Sequence, residues 1–394
     1  MISERIKRMT PSATIELEGT VAELEAQGVH VIGLNAGEPD FATPDNIQAA
    51  CERAIAAGKT KYISVTGIAE LKKAICDKLL RDNNVAYDPA RIVVSTGAKQ
   101  ALGNAVMAIC NPGDEVIIPS PCWVSYVEMV KLADGVPVIV PTDPETFQLD
   151  IAAIEKAVTP KTRAVMINTP NNPTGAVYTR ESLQRLGELA IKHDFYIISD
   201  EVYEKLIYEG EHVCVASLSK EIYERTIVVN GFSKAFAMTG WRIGYSASPR
   251  DVARAMASLQ GHTTSNSTTF VQWAAVEALT GGEDTIVAMR KEFDERRKYL
   301  LQRLRAMKGV TCPEAKGAFY LLPDVSFYYG KKADGAVIKD SFDFCKYLLD
   351  DARLAVVPGA AFEAPKTIRI AYSNSLANIT EGMDRMEKAL AKLH

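Results

Sequence analysis

Two patterns of apolar and polar residues alternate along the middle of the chain. From about residue 90, short runs rich in β-branched residues are separated by longer segments whose apolar residues recur at helical spacing. This alternation predicts strand–helix units, and therefore an α/β protein with a mostly parallel sheet between helices. The predicted strands are 92–95, 115–118, 137–140, 164–168, 196–199 and 226–229. Ligands bind beyond the carboxyl ends of the strands in such sheets, so the residues that follow each strand are candidates for a functional site.

The last third of the chain is organised differently. A long amphipathic helix is predicted over 284–307, because apolar residues recur there at helical spacing between charged ones. A loop of Lys, Asp and Gly near 330–336, a helix near 341–352 and strands near 354–357 and 367–372 follow it. The length of 394 residues is typical of two domains, and we expect this region to form a second, smaller unit.

Composition and charge argue against several functional classes. The formal net charge is -4 and the two signs are interspersed, which argues against nucleic acid as a partner. The seven cysteines form no C-x-x-C pair, and the five histidines form no close metal-ligand pair. Charged residues are interleaved at the N-terminus, and no apolar run reaches the roughly 18 residues of a membrane span. We therefore expect a soluble cytoplasmic protein with no metal, nucleic-acid or membrane partner.

Lys234 is the first candidate for chemistry. It lies among small residues in the segment 230–245, and Arg242 follows eight positions later. This layout is typical of a lysine that forms an imine with an aldehyde cofactor bearing a phosphate. Because a free lysine amine has a pKa of about 10.4, burial or neighbouring charge must lower that pKa. An exposed surface lysine would also fit the pattern, so the assignment depends on partners elsewhere in the chain.

A phosphate site is predicted where the first strand of the sheet meets a helix. Gly97, Ala98 and Lys99 close the strand and open the helix, so the first backbone N–H groups of that helix are free to bind an anion. Arg242 would add a guanidinium to the same phosphate. A simple strand-to-helix turn is the alternative interpretation. Neither a Walker loop nor a dinucleotide fingerprint occurs in the sequence.

Four further residues have side chains that suit an aromatic, charged ring. Asp200 directly follows an apolar run, and its carboxylate at the strand end would stabilise a protonated ring nitrogen. A helix cap or a salt bridge is the alternative for Asp200. Tyr203 and Asn172 are candidates to donate hydrogen bonds to a phenolate oxygen, and Trp123 is a candidate to stack on the ring if it is not a core residue.

An aldehyde, a pyridinium, a phenolate and a phosphate together describe pyridoxal phosphate. With these residues the chain resembles the fold-type I, class I aminotransferases over essentially its full length, and within them the bacterial and plant branch of aspartate aminotransferases that includes prephenate aminotransferases. The motifs that carry the resemblance are Asn-Ala-Gly-Glu-Pro-Asp-Phe at 35–41, Lys-Tyr at 61–62, Asn-Pro-Thr-Gly at 172–175, Asp-Glu-Val-Tyr at 200–203, Ser-Lys-Ala-Phe-Ala-Met-Thr-Gly-Trp-Arg at 233–242 and Ile-Arg-Ile-Ala-Tyr-Ser at 368–373.

The resemblance implies a fold and a division into domains. It implies a large domain built on a seven-stranded, mostly parallel sheet, and a smaller α+β domain formed from both chain ends. We expect residues 46–285 to form the large cofactor-binding domain and residues 286–394 the small C-terminal domain. Residues 1–45 would then form an N-terminal arm and part of the small domain.

The resemblance also implies a role for each residue around the cofactor. Lys234 matches the lysine that holds pyridoxal phosphate as an imine and then moves the proton between the substrate Cα and the cofactor. Asp200 matches the partner of the pyridine nitrogen, and Tyr203 and Asn172 match the partners of the ring oxygen. Tyr62 matches a tyrosine that reaches the phosphate of the neighbouring subunit, so a homodimer with shared active sites is implied.

The chain departs from its relatives at one phosphate ligand. Gly231 stands where many relatives carry serine, three residues before the lysine. Ser233 is adjacent but points differently in an extended segment. We therefore expect water or a backbone N–H group to replace that hydrogen bond, with Ser233 close to the cofactor.

Substrate contacts are implied in the same way. Arg369 and the backbone of Gly37 match the groups that hold the α-carboxylate of the substrate. Lys99, with help from Thr14, matches the group that binds a side-chain carboxylate; the segments 11–14, 97–100 and 121–126 carry this part of the resemblance. The residues expected to contact both cofactor and substrate are Lys99, Trp123 and Asn172.

These matches favour transfer of the amino group of aspartate to 2-oxoglutarate. Prephenate remains open as an alternative substrate, because it too has a second carboxylate for Lys99, and because Phe232 and the stretch 317–330 are similar to plant-type members of that group. A carbon–sulfur lyase on the same fold is a further alternative. A transcriptional regulator with an aminotransferase-like domain is disfavoured, since the cofactor-fold motifs begin by residue 35.

Overall fold

The predicted strand–helix alternation is present in the structure. The computed structural model describes residues 1–11, 13–333 and 336–394, so residue 12 of the segment 11–14 and residues 334–335 of the loop near 330–336 lie outside the described residues. The strands are β1 Ile32–Gly33, β2 Ile92–Ser95, β3 Glu115–Ser120, β4 Val136–Pro141, β5 Thr162–Asn168, β6 Tyr196–Asp200, β7 Thr226–Gly231, β8 Gly244–Ala247, β9 Tyr320–Leu321, β10 Lys332–Ala333, β11 Ala336–Val337, β12 Leu354–Ala355, β13 Val357–Pro358 and β14 Ile368–Ala371.

The helices include the long one predicted after residue 283 and the one predicted near 341–352. They are α1 Glu4–Lys7, α2 Ala13–Ala26, α3 Asp45–Ala56, α4 Ala69–Asn83, α5 Ala98–Ile109, α6 Val124–Leu132, α7 Ile151–Ala157, α8 Arg180–His193, α9 Lys220–Tyr223, α10 Arg250–Thr263, α11 Thr269–Thr280, α12 Asp284–Ala306, α13 Ser341–Ala352 and α14 Leu376–Leu390. The strand predicted near 354–357 is divided into β12 and β13, and β14 lies within the strand predicted near 367–372.

A seven-stranded sheet forms the centre of the molecule. Its strand order is β2-β8-β7-β6-β5-β3-β4, and β8 alone in this sheet runs antiparallel to its neighbours. Ile92 and Val94 on β2 pack into one apolar cluster, whereas Val93 between them packs into another. Successive strand residues point to opposite faces, so the sheet is covered on both sides. The prediction of a mostly parallel sheet between helices is confirmed.

The antiparallel strand β8 was absent from the six strands predicted by alternation. It begins two residues after Arg242, at Gly244, where a Cβ would lie 2.4 Å from the backbone nitrogen of Ala98. This close approach requires glycine, and it brings the segment that carries Arg242 against the start of α5. The missed strand therefore helps to build the predicted phosphate site.

The start of the chain packs against its end. Ile32 and Leu34 belong to one apolar cluster with buried residues of α12, α13, α14 and β14. β1 also pairs in parallel with β12, where Ile32 lies opposite Leu354. This packing is what a small domain formed from both chain ends requires, although the boundaries at 45/46 and 285/286 stay predictions. Within the described residues, no helix is long and apolar enough to cross a membrane.

Candidate active site

A cavity of about 560 Å³ lies at the edge of the central sheet where β5, β6 and β7 end. The parallel strands place their carboxyl ends at this edge, as expected for a ligand site in an α/β sheet. Most of the residues predicted for the site line the cavity: Thr14, Gly37, Ala98, Lys99, Trp123, Asn172, Asp200, Tyr203, Ser233, Lys234, Arg242 and Arg369. The fold thus brings together residues that are up to 355 positions apart in the chain, from Thr14 to Arg369.

Lys234 lies just beyond the end of β7 and turns its amine into the cavity. Its Nζ donates a hydrogen bond to the backbone oxygen of Gly37. The same nitrogen lies 5.9 Å from the ring centroid of Tyr203 and 5.8 Å from that of Phe319. Burial lowers the pKa of Lys234 to about 8, and the charge of Arg369 acts in the same direction. A substantial fraction of neutral, nucleophilic amine is therefore present at weakly alkaline pH.

Asp200 is the last residue of β6 and is buried. Its Oδ2 accepts a hydrogen bond of 2.6 Å from the hydroxyl of Tyr126, and its Oδ1 accepts one of 3.3 Å from the backbone N–H of Val202. Burial raises the pKa of Asp200 to about 6, although both hydrogen bonds and the charge of Lys234 oppose that rise. Among the described residues, no lysine or arginine forms an ion pair with this carboxylate. In the described part of the chain, Asp200 therefore neither caps a helix nor forms a salt bridge, which were the alternatives from the sequence.

The predicted anion site lies at the start of α5. Gly97 precedes this helix with a φ of 83°, and a Cβ on it would lie 2.5 Å from Nη2 of Arg242. A glycine is therefore required for both the backbone conformation and the approach of the guanidinium. Nη1 of Arg242 donates to the backbone oxygen of Thr239 over 2.9 Å. The helix N-terminus and the guanidinium together form a positively polarised pocket, and Ser233 lines the same cavity.

Gly231, where many relatives carry serine, lies in the buried end of β7. A Cβ there would lie 3.4 Å from the Cβ of Ala98, which is an ordinary contact distance. Packing therefore does not require glycine at this position. The expectation that water or a backbone N–H replaces the missing hydroxyl stays a prediction.

Arg369 occupies the middle of β14 and is buried. Its Nη1 donates to Oδ1 of Asn172 over 3.1 Å, and its Nη2 donates to the backbone oxygen of Asn35 over 2.8 Å. The guanidinium carbon lies 4.6 Å from the ring centroid of Tyr320 and 4.8 Å from that of Phe362. Burial lowers the pKa of Arg369, so the cation is held in a poorly solvated place. A buried guanidinium that faces a cavity suits a planar carboxylate.

Lys99 and Trp123 form another part of the wall. The Nζ of Lys99 lies 4.8 Å from the Trp123 ring centroid, and the indole is partly exposed to the cavity rather than in the core. Burial and the charge of Arg242 lower the pKa of Lys99. Thr14, on α2, lines the same cavity. A cation, an aromatic face and a threonine thus line the same cavity.

Among the cavity residues that were given no role in the sequence analysis are Tyr126, Tyr320, Asn168 and Glu18. Tyr126 lies in the first turn of α6, three residues after Trp123, and this short separation is the signal that could have placed it at the site. Tyr320 donates or accepts a 2.9 Å hydrogen bond with the hydroxyl of Tyr203. Asn168 donates to the backbone oxygen of Asp200 over 2.9 Å and accepts from the backbone N–H of Asn172 over 2.7 Å. Glu18 lies on α2.

A buried ionic cluster lies behind the cavity and ties two strand ends together. Glu204 contacts the amine of Lys78 and accepts hydrogen bonds from Asn83 over 2.8 Å and from Asn230 over 2.7 Å. Burial acts to raise its pKa, but the charges of Lys78 and His212 hold the pKa of Glu204 at about 2. Glu204 follows β6 and Asn230 lies in β7, so one side chain connects the strands that end at Asp200 and just before Lys234.

Tyr62 lies apart from this cavity. Its side chain is 90% exposed and does not contribute to the cavity wall. Its role toward a neighbouring subunit stays a prediction.

Comparison with known proteins identifies the family. The model of the "Aminotransferase class I and II" family matches residues 29–386. An aspartate aminotransferase of Bacillus sp. (strain YM-2) is 46% identical over 98% of both chains. An aspartate/prephenate aminotransferase of Cereibacter sphaeroides is 47% identical over 100% of this chain and 99% of the relative. The solved structure of the aspartate aminotransferase from Thermus thermophilus with maleate is 44% identical, covers 99% of both chains and has a TM-score of 0.94. The chain therefore belongs to the class I and II aminotransferase family.

Proposed function

We propose that this aminotransferase moves the amino group of aspartate to 2-oxoglutarate with pyridoxal phosphate as cofactor. The observation that carries the proposal is the position of the Lys234 amine, whose pKa is lowered to about 8, in one cavity with the Asp200 carboxylate and the Arg369 guanidinium. Relatives named aspartate aminotransferase, at 46% and 43% identity, support the choice of aspartate.

Two features of the cavity support this cofactor. Asp200 is a buried carboxylate whose only hydrogen bonds among the described residues come from Tyr126 and Val202, so it suits a cationic ring nitrogen. Gly97 leaves room for the guanidinium of Arg242 at the N-terminus of α5, so this corner suits a phosphate. Tyr203 and Asn172 would hold the ring oxygen, and Lys234 would hold the aldehyde carbon.

The residues of the chain would then divide the work. When bound, pyridoxal phosphate supplies an aldehyde that condenses with amino groups and a ring that accepts electrons from the substrate Cα. Arg369 orients the substrate through its α-carboxylate. The neutral amine of Lys234 would take the proton from the substrate Cα and deliver it to the former aldehyde carbon of the cofactor, so one nitrogen would be both the covalent group and the general base. Asp200 would stay ionised and would keep the ring nitrogen protonated.

Prephenate is the second candidate substrate. Two relatives named aspartate/prephenate aminotransferase, from Cereibacter sphaeroides and Thermus thermophilus, are 47% and 44% identical to this chain. Lys99 would bind the second carboxylate of either substrate as a point charge. Steady-state rates with aspartate and with prephenate, each paired with its keto or amino acid partner, test the choice. An aspartate rate far below the prephenate rate would overturn our first assignment.

Truncating the two carboxylate-binding groups should have different effects. Arg369→Ala should lower kcat/KM about 10²- to 10³-fold for every amino acid, because every substrate has an α-carboxylate. Lys99→Ala should lower kcat/KM about tenfold for aspartate and glutamate and much less for a neutral amino acid. Kinetics of both variants with aspartate, glutamate and phenylalanine measure this. Equal losses across the three substrates in Lys99→Ala would remove the case for Lys99 as a specificity group.

A homodimer with shared sites is supported by the exposed position of Tyr62. We expect sedimentation velocity to give twice the chain mass of 43.0 kDa. Tyr62→Phe should weaken cofactor binding roughly three- to tenfold by removing one phosphate hydrogen bond. In mixed dimers of Tyr62→Phe and Lys234→Ala chains, the site that retains Lys234 receives an intact tyrosine from the other chain. Wild-type cofactor affinity at that site is the expected result; the weakened affinity there would mean that Tyr62 acts within its own chain.

A further inference from the structure

The mouth of the cavity carries a carboxylate among cations. Helix α2 lines the cavity with Thr14, Ile15 and Glu18, and Glu18 lies on the same face of the helix as the other two because it follows them by four and three residues. Glu18 is exposed, and its negative charge opposes the lowering of the Arg369 pKa that burial causes. The Glu18 carboxylate is therefore close enough to the substrate-binding guanidinium for its field to be felt there.

The other carboxylates of the cavity are already engaged. Asp200 accepts the Tyr126 hydroxyl over 2.6 Å, and Glu38 accepts the hydroxyl of Thr239 over 2.8 Å. In the part of the chain that the structure describes, the Glu18 carboxylate has no hydrogen bond or ion pair. Glu18 lines the same cavity as Lys99 and Arg369.

We infer that Glu18 is a specificity-determining residue, which weakens binding of substrates with a second carboxylate and favours those whose far end donates a hydrogen bond. This inference rests on the proposed function, because it concerns the same substrate site. A carboxylate accepts hydrogen bonds and cannot donate them. It therefore repels the distal carboxylate of aspartate, while it accepts from an amide or hydroxyl at the same place. Lys99 attracts what Glu18 repels, and the balance of the two sets the preference.

Helix α2 offers a matched control for this inference. Glu16 lies on the same helix, is exposed like Glu18, and points away from the cavity that Glu18 lines. Glu18→Gln and Glu16→Gln remove the same charge from the same element. A difference between the two variants therefore reports the place of the charge and not the change in net charge.

Maleate binding to the holoenzyme is the first readout, measured by calorimetry. We expect Glu18→Gln to lower the Kd of this dicarboxylate about two- to fivefold at low ionic strength. The difference in Kd between the variant and the wild type should shrink at about 0.5 M salt, because salt screens the repulsion. Glu16→Gln should leave the Kd unchanged. Equal Kd values for Glu18→Gln and the wild type, or an equal gain in both variants, would overturn the inference.

Steady-state kinetics with aspartate and with asparagine are the second readout, because these two amino acids differ little except in the charge at the end of the side chain. Glu18→Gln should lower KM for aspartate about two- to fivefold, leave kcat unchanged, and raise KM for asparagine or leave it unchanged. Tighter binding of both substrates to the same extent would contradict a charge effect. If the wild type neither binds maleate nor transaminates a dicarboxylate, the proposed function fails and the inference with it; if only the difference between variants is missing, the inference alone fails.

Discussion

Lys234→Ala should abolish transamination, with a fall in kcat on the order of 10⁴-fold or more, because the variant loses both the covalent anchor of the cofactor and the general base. The absorbance band of the covalently attached cofactor should disappear as well. The contacts of Arg242 and of the α5 N-terminus with the phosphate should still retain the cofactor. Absorbance spectra after dialysis and single-turnover rates measure these effects.

Lys192→Ala serves as the control, since Lys192 forms an exposed ion pair with Glu155 far from the cavity. A Lys234→Ala variant that transaminates at the rate of Lys192→Ala would show that another residue carries the chemistry.

The lowered pKa of Lys234 allows a further test on the wild-type apoprotein. Only the neutral amine attacks an aldehyde, so the rate of covalent capture of the cofactor should rise as the pH increases through about 8.

Asp200→Asn should inactivate the enzyme and stabilise the apoprotein. We expect kcat to fall about 10²- to 10⁴-fold, because an amide does not keep the ring nitrogen protonated. The pKa of Asp200 is raised from 3.8 to about 6 in the folded state, so the folded state binds more protons than the unfolded state between these values. The contribution of Asp200 to stability therefore falls as pH rises through that window, and the buried charge is a cost at pH 7.5.

Removing that charge should raise the free energy of unfolding of the apoprotein by about 1–3 kcal/mol at pH 7.5 and by almost nothing near pH 4. Urea unfolding midpoints at the two pH values measure the difference. Tyr126→Phe is the companion variant with the opposite sign, since it removes the hydrogen bond that stabilises the ionised carboxylate. It should destabilise the apoprotein at pH 7.5 more than near pH 4. If Asp200→Asn raised the free energy of unfolding equally at both pH values, the result would argue against a buried charge at Asp200.

The elements with a strong period were predictable from the sequence. The strand 92–95 and the helix 341–352 have the predicted bounds, because a short run rich in β-branched residues and a clear amphipathic repeat leave little freedom in where they begin and end. Lys234, Asp200 and Arg369 were recognisable as a set because each lies in a motif that resembles the family. That these residues line one cavity follows from the parallel sheet, which places the carboxyl ends of its strands at one edge.

Other features depend on contacts that no local pattern encodes. β8 is only four residues long and follows a loop, and its antiparallel direction is set by pairing with β2 and β7. The hydrogen bond from Tyr126 to Asp200 joins residues 74 positions apart. Glu18 looks like any exposed glutamate on a surface helix, and only the packing of α2 against the rest of the chain brings it to the cavity mouth. Contacts between distant parts of the chain decide where such residues lie, because local sequence preferences are the same whether or not the residue reaches the site.

The hydrogen bonds by which Glu204 connects β6 and β7 have a consequence for how the substrate specificity of this fold can change. Because one buried side chain links the strand ends that precede Tyr203 and Lys234, we expect a substitution near either residue to shift the position of the other. Helix α2 contributes no residue to these contacts of Glu204, and its cavity-lining residues are exposed or only partly buried. New substrate ranges should therefore arise, in evolution or in directed selection, through changes on α2 that leave the cofactor chemistry intact.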